Sequence, residues 1–351
     1  MTDGSVGFAS RRVNPGFRDE DVTEWLQTGQ VPTESAERPD LRAVPRARGT
    51  PTTLARLARP QASRPTRLAV VSDVHLSTTN EGSWKLFHRS ETRLRQAVDD
   101  VGTRGVDGVV VAGDLTEDGH PEDVARAAEL LSDLSVPVLP VPGNHDAPTD
   151  PGADASFSEG ALGTLLPGGF PYRGRVGGVD VLCLDSTRAA SGEKATLADD
   201  QLAWLAETVS ACDDPIVVSH HNLPGLLSAT GGDSWRSSFP LRNADRFGSV
   251  LRDSAVGLHV SGHLHIPALA ATGGVRELIA PALCSFPGGY LLVDVGPEGT
   301  TVRYVPVVGL PGLTEGWEAA RAYKPRSRMV ARMALGQVTA LPLVDERGTA
   351  T

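Results

Sequence analysis

Leu68-Ala69-Val70-Val71-Ser72-Asp73-Val74-His75 is an apolar run that ends abruptly in two side chains able to ligate a metal. The run reads as a buried strand. Asp73 and His75 stand at i and i+2, which on extended backbone puts both on one face. The same construction recurs along the chain. Val109-Val110-Val111 precedes Gly113-Asp114, and Val136-Pro137-Val138-Leu139-Pro140-Val141 precedes Gly143-Asn144-His145-Asp146. Ile216-Val217-Val218 precedes His220, and the segment Val256 to Val260 precedes Gly262-His263-Leu264-His265. A strand end is a rigid place from which to aim a ligand.

Between these strands the periodicity turns helical. Leu94, Ala97, Val98 and Val101 recur at i, i+3, i+4 and i+7, and Val124, Ala127, Ala128 and Leu131 form a second stripe opened by Pro121. Gly177-Gly178 reads as a two-residue hairpin turn. Thr196 with Asp199 reads as a capping box ahead of the stripe Leu202, Leu205, Ala206 and Val209. Short β segments follow at Leu278-Ile279, Tyr290 to Val295 and Thr301 to Val307. A βαβαβ start followed by hairpins predicts an α/β fold of two mixed sheets packed face to face, with helices outside.

The flanks read differently. Residues 1–66 are rich in Pro, Thr, Arg and Glu, with ten arginines against eight acidic residues, and are expected to be an arm of loop or extended chain. A short helix is expected only at Asp21 to Leu26. The catalytic domain is expected over 67–308. In the tail, 309–351, Met329, Val330 and Met333 predict one face of a helix after Pro325. That helix either docks on its own domain or, with the arm, offers a contact for a homo-oligomer.

The net charge of −10 argues against general affinity for nucleic acid. No apolar run approaches the ~20 residues that span a bilayer. Ser10-Arg11-Arg12 is not followed by an apolar stretch, so no export signal is read there. Cys183, Cys212 and Cys284 form no CxxC pair, which predicts a cytoplasmic protein. Only Lys85, Lys194 and Lys324 are lysines. That imbalance fits either salt adaptation or a GC-rich genome.

Singly, each candidate ligand has a bland reading. His88, His120 and His259 read as satisfied surface or core residues, Asp146 as a possible brace of its own loop, and His221 as ambiguous. The ordered set of Asp73, His75, Asp114, Asn144, His220, His263 and His265 does not reduce to that. The carboxylate of Asp114 can bridge two ions, Asn144 can offer an amide oxygen, and the histidines offer imidazole nitrogens.

In this order the motifs D-x-H, G-D, G-N-H-D, His and G-H-x-H make residues 67–308 resemble the calcineurin-like metallophosphoesterases. Gly113-Asp114-Leu115-Thr116-Glu117-Asp118-Gly119 and His220-His221 look most like the class III cyclic-nucleotide phosphodiesterase branch. The resemblance implies a four-layer αββα sandwich. It implies one metal held by Asp73, His75 and His265, a second held by Asn144, His220 and His263, and Asp114 bridging them. Glu117 stands where purple acid phosphatases carry a tyrosine, which disfavours the Tyr–iron type. Mixed nitrogen and oxygen ligation suits manganese, iron or zinc.

Two divalent ions about 3.5–4 Å apart would hold a bridging hydroxide for in-line attack on phosphorus. His145, beside Asn144, is the candidate to protonate the leaving oxygen, with Asp146 orienting it. The expected substrate is a small phosphate ester, a phosphodiester first. The alternatives are a phosphomonoester on the same metal core, a DNA-end nuclease of the double-strand-repair type, or a non-catalytic scaffold. Neither a basic stripe nor heptads support the nuclease, and the complete ligand set opposes the scaffold. Specificity is expected in the loops Ser77 to Phe87, Ala147 to Gly169 and Pro224 to Phe239. There Trp84 and Trp235 either stack a base or pack their loops down.

Overall fold

The computed structural model describes residues 18–28, 47–146, 169–187, 195–225, 240–254 and 256–340. Most of the loops at 147–169 and 224–239, with Trp235, lie outside the described residues.

The first sheet gathers β1 (Thr52–Leu57), β2 (Thr66–Val71), β3 (Gly108–Ala112), β4 (Val138–Val141), β11 (Gly289–Gly296) and β12 (Gly299–Pro306) in the order β1-β12-β11-β2-β3-β4. The second gathers β5 (Tyr172–Val176), β6 (Val179–Cys183), β7 (Ile216–Val218), β8 (Leu258–Ser261), β9 (Ala268–Thr272) and β10 (Val275–Ile279) in the order β5-β6-β7-β8-β10-β9. Pairs β2–β3, β3–β4, β6–β7 and β7–β8 are parallel, whereas β11 and β12 return antiparallel in the first sheet and β5 and β9 pair antiparallel in the second, so both sheets are mixed.

Period-two alternation accounts for the layers. Val181 and Cys183 of β6, with Ile216 and Val218 of β7, join a core shared with β2, β3 and β4. Their neighbours Leu182 and Val217 face the other way. There they meet Leu202 and Leu205 of α4 (Asp199–Val209) and Phe247 and Leu251 of α5 (Ala244–Asp253). The stripes of α2 (Phe87–Gly102) and α3 (Pro121–Ser132) close the first sheet as expected. The result is the anticipated arrangement of two sheets flanked by helices.

Several elements differ from the sequence expectation. Residues 52–57, read as loop, form edge strand β1 on β12. The helix in the N-terminal arm, α1, runs Asp19–Thr28. A helix not foreseen, α6 (Leu310–Tyr323), precedes the expected one, α7 (Pro325–Ala340). Trp25 of α1 and Trp317 of α6 are both fully buried, and the Trp317 indole N–H donates to Thr23 Oγ1 at 3.1 Å. Asp19 meets Arg328 and Arg332 of α7 at 3.1 and 3.6 Å. Val330 and Met333 pack on Leu264 and Ile266, so α7 covers the loop between His263 and His265. The expected Thr196–Asp199 capping box does not form: the N-cap of α4 is Ala198, without a side-chain cap.

Candidate metal centre

Asp73 and Asp114 each lie two residues past the end of a strand, β2 and β3, and His220 and His263 lie two past β7 and β8. The carboxyl ends of parallel strands thus converge at one mouth. There the chain leaves regular geometry. Asp73, His75, Asp114, His263 and His265 all have φ between 48° and 69°. Among the described residues only two other non-glycine positions share that left-handed region, Ala195 and Asp214. Such backbone costs of order 1–3 kcal/mol per residue and persists where packing over-determines it, commonly at functional sites.

The motif glycines are there for close approach. A Cβ on Gly143 would stand 2.1 Å from Asp114 Oδ1 and 2.3 Å from its backbone nitrogen. One on Gly262 would stand 2.1 Å from Ser72 Oγ and 2.8 Å from Asp73 Oδ2. We expect Gly143→Ala to lose about 1–3 kcal/mol of stability through overpacking and to displace Asp114. Thermal unfolding together with metal content checks this, and a variant normal in both would remove the steric argument.

Two donor groups share Asp114. His75 Nε2 lies 3.5 Å from Asp114 Oδ2 and 3.8 Å from Asp73 Oδ1, and His265 Nε2 lies 3.3 Å from Asp73 Oδ1. On the other side His220 Nε2 lies 3.2 Å from the same Asp114 Oδ2 and 3.2 Å from His263 Nδ1. The Nε2 atoms of His75 and His265 approach to 3.2 Å. Two imidazole nitrogens at that distance share at most one proton, whereas a cation among the surrounding carboxylates would satisfy both lone pairs. The donor set therefore fits divalent metal ions.

The electrostatics point the same way. Burial alone would raise Asp73 and Asp114, yet His265 and His75 hold the first, and His220 and His75 the second, far below the usual carboxylate range. Burial would lower His220, but Asp114 pushes it up to about 9. His263 and His265 are lowered, chiefly by burial. The outer nitrogens are held as well. His75 Nδ1 lies 2.6 Å from Glu117 Oε2, His220 Nδ1–H donates to the Ala112 carbonyl at 2.8 Å, and His265 Nδ1 lies 3.0 Å from Ser285 Oγ. Partners of this kind fix the ring orientation of metal-ligating histidines.

Of the residues anticipated from sequence, Asn144 is solvent-exposed on the turn after β4, and no hydrogen bond ties its side chain to the cluster among the described residues. His145 is half-buried; its backbone N–H donates to Asp114 Oδ1 at 2.9 Å and its Nδ1–H to the Glu117 carbonyl at 2.9 Å. Asp146 does not orient it. The tight turn sends that carboxylate back to accept from the backbone N–H groups of Leu115, Thr116 and Gly143 and from Thr116 Oγ1. It braces the Asp114 loop instead.

Two residues were missed. Glu117 bonds His75, and Lys85 Nζ donates to Glu117 Oε2 at 2.8 Å while lying 3.3 Å from His145 Nε2. No sequence spacing announces them, although Lys85 stands out by rarity. His221 bonds Ser186 Oγ at 3.0 Å, with its ring 4.8 Å from that of His263. Trp84 tilts over His265 with ring centroids 5.0 Å apart and joins the packing of Leu264 and Ile266.

The chain is 24% identical over 244 residues to a probable cyclic nucleotide phosphodiesterase of Synechococcus sp., an alignment covering 66% of this chain and 89% of that one. It is 33% identical over 168 residues to a glycerophosphodiester phosphodiesterase of Enterobacter lignolyticus, covering 45% and 56%. A dimetal phosphatase from Danio rerio superposes with a TM-score of 0.54 at 16% identity, over 70% of this chain and 97% of that one, which is a likeness of fold. The family model for the calcineurin-like phosphoesterases matches residues 66–267. With more than half its length so matched, and with this cluster of acids and imidazoles at the strand ends, the chain belongs to the calcineurin-like phosphoesterase family.

Proposed function

We propose that the protein hydrolyses a small phosphodiester with a pair of divalent cations, one held by Asp73, His75 and His265, the other by Asn144, His220 and His263, and both by Asp114. The observation that carries this reading is the position of Asp114 Oδ2, 3.5 Å from His75 Nε2 and 3.2 Å from His220 Nε2. Bound manganese, iron or zinc would supply an activated water near neutral pH and offset charge growing on the phosphoryl oxygens.

The chain's own residues do the rest. Glu117 and Ser285 hold the His75 and His265 rings so that each Nε2 faces Asp73. His145, fixed through Nδ1–H to the Glu117 carbonyl, keeps Nε2 for proton exchange, and the Lys85 ammonium lies against that nitrogen. This pair supplies the proton for the departing oxygen. The net charge of −10 speaks against a nucleic-acid substrate, and no helix among the described residues is long and apolar enough to cross a membrane.

The test is a panel on manganese-reconstituted protein: cyclic AMP, a glycerophosphodiester, bis-nitrophenyl phosphate and mono-nitrophenyl phosphate. We expect hydrolysis of the diesters to exceed that of the monoester and to vanish on chelation. Faster monoester turnover would overturn the diester assignment, and an inert reconstituted protein would overturn the hydrolytic reading.

A further inference from the structure

Behind the metal-facing ends of β7 and β8 lies a second polar cluster that plays no part in the chemistry above. Ser219, Asn222, His259, Ser261 and Glu277 are all 0% exposed. Five polar side chains sealed in a core are costly unless they are hydrogen-bonded to one another. Here Glu277, Ser261 and Asn222 form a connected path, and Ser219 and His259 a separate bonded pair. Glu277 Oε1 accepts from Ser261 Oγ at 2.7 Å and from the Leu223 N–H at 3.0 Å. Asn222 Nδ2 donates to Ser261 Oγ at 2.8 Å and to the Gly262 carbonyl at 3.0 Å. His259 Nε2 lies 2.9 Å from Ser219 Oγ, whereas its Nδ1, 3.4 Å from the same Glu277 oxygen, is not hydrogen-bonded to it.

The path joins two pieces of backbone. Ser219 and Asn222 flank His220 and His221, whereas Ser261 and Gly262 lead into His263. Burial pushes the Glu277 carboxyl up to about 7 and the His259 imidazole down to about 3, so the cluster need not hold an ion pair. The backbone crosses this gap twice, Ser219 N–H to the Val260 carbonyl at 3.1 Å and Gly262 N–H to the His220 carbonyl at 3.0 Å, and the His263 N–H donates to Asp73 Oδ2 at 3.0 Å; the side-chain path adds the link from Asn222 to the Gly262 carbonyl.

We propose that Glu277, with Asn222 and Ser261, is a positioning brace that clamps the His220 end of β7 to the His263 loop and so fixes one of the two metal positions. The brace rests on the two-metal reading above. It acts through the backbone on either side of the two rings, which approach to 3.2 Å between His263 Nδ1 and His220 Nε2. The half of the centre built from Asp73, His75 and His265 is held by other partners, Glu117 and Ser285. Loss of the brace therefore weakens one metal and spares the other.

The experiment is a manganese titration of the chelated full chain, followed by calorimetry, for wild type, Glu277→Leu, Glu277→Gln and Asn222→Ala, with near-ultraviolet circular dichroism reporting the fold. Wild type must take up two equivalents; fewer overturns the two-metal reading, and the brace with it. Given two, Glu277→Leu is expected to weaken one site by about 10–100-fold, the usual scale for residues that orient metal ligands, and to leave the other unchanged. Glu277→Gln is expected to restore that site, because its amide oxygen can accept from Ser261 and Leu223. A folded Glu277→Leu that binds both ions as wild type does, or that loses both equally, overturns the brace. Should Glu277→Leu fail to fold, Asn222→Ala decides by the same criteria.

Discussion

Asp114→Ala is expected to release at least one metal ion and to cut turnover by about three orders of magnitude or more, since several kcal/mol of charge stabilisation at about 1.4 kcal/mol per tenfold amounts to that. Both halves of the centre meet at its Oδ2, and its Oδ1 is already engaged by the His145 N–H. No neighbouring carboxylate can stand in. Asp73 faces His75 and His265, and Asp146 is committed to the backbone N–H groups of Leu115, Thr116 and Gly143. The residue is 1% exposed, so loss of its carboxylate leaves imidazoles facing one another without a countercharge. His220 shows the consequence most directly. Asp114 is what lifts it to about 9 against the pull of burial, and without that carboxylate it loses its main reason to carry a proton or to face a cation. Asp114→Asn keeps the shape and separates charge from folding. Metal content and turnover on bis-nitrophenyl phosphate are the measurements. A variant that keeps two ions and near-normal turnover would end the case for a shared aspartate.

How far the sequence carried this picture follows from where each residue gets its partners. Strands β3 and β7, and β2 from Leu68 on, were legible because strands buried on both faces are written as unbroken apolar runs, whereas β8 rested on Leu258 and Val260 either side of His259. Val109-Val110-Val111 and Ile216-Val217-Val218 have no polar residue to confuse the reading. β1 was not legible. Thr52-Thr53-Leu54-Ala55-Arg56-Leu57 is an edge strand with a register shift between Thr53 and Ala55, and β12, more than 240 residues away, is what makes it a strand. The unforeseen α6 contains Gly312 and Gly316, poor helix formers, and is held by the burial of Leu313 and Trp317.

The same distinction holds at the site. The D-x-H and G-H-x-H pairs declare themselves because both members sit within one local segment. Glu117 and Lys85 reach His75 across 42 and 10 residues, and no local period reports such contacts. Asp146 misleads for the opposite reason. Adjacency to His145 suggests an orienting pair, but adjacent residues on a tight turn point apart, and the unpaired N–H groups of Leu115 and Thr116 claim the carboxylate.

His145→Ala should lower turnover by ~10²–10⁴-fold, the range of a positioned acid, with both metals retained. Neither ring nitrogen of His145 reaches a carboxylate of the shared centre within hydrogen-bond distance; the residue touches Asp114 only through its backbone N–H, which alanine keeps. Its ring faces the Glu117 carbonyl and Lys85 and meets the His75 ring only edge-on, with centroids 4.8 Å apart. Removing it should therefore leave the ligands in place and take away the proton delivered to the leaving oxygen. A substrate with a good leaving group needs that proton little, so the defect should be small on bis-nitrophenyl phosphate and large on a diester with an alkoxide leaving group. Lys85→Met should repeat the pattern in weaker form if the ammonium works through His145. Equal losses on both substrates with metal retained would instead assign His145 to binding the phosphate, and loss of metal would assign it to the structure of the centre.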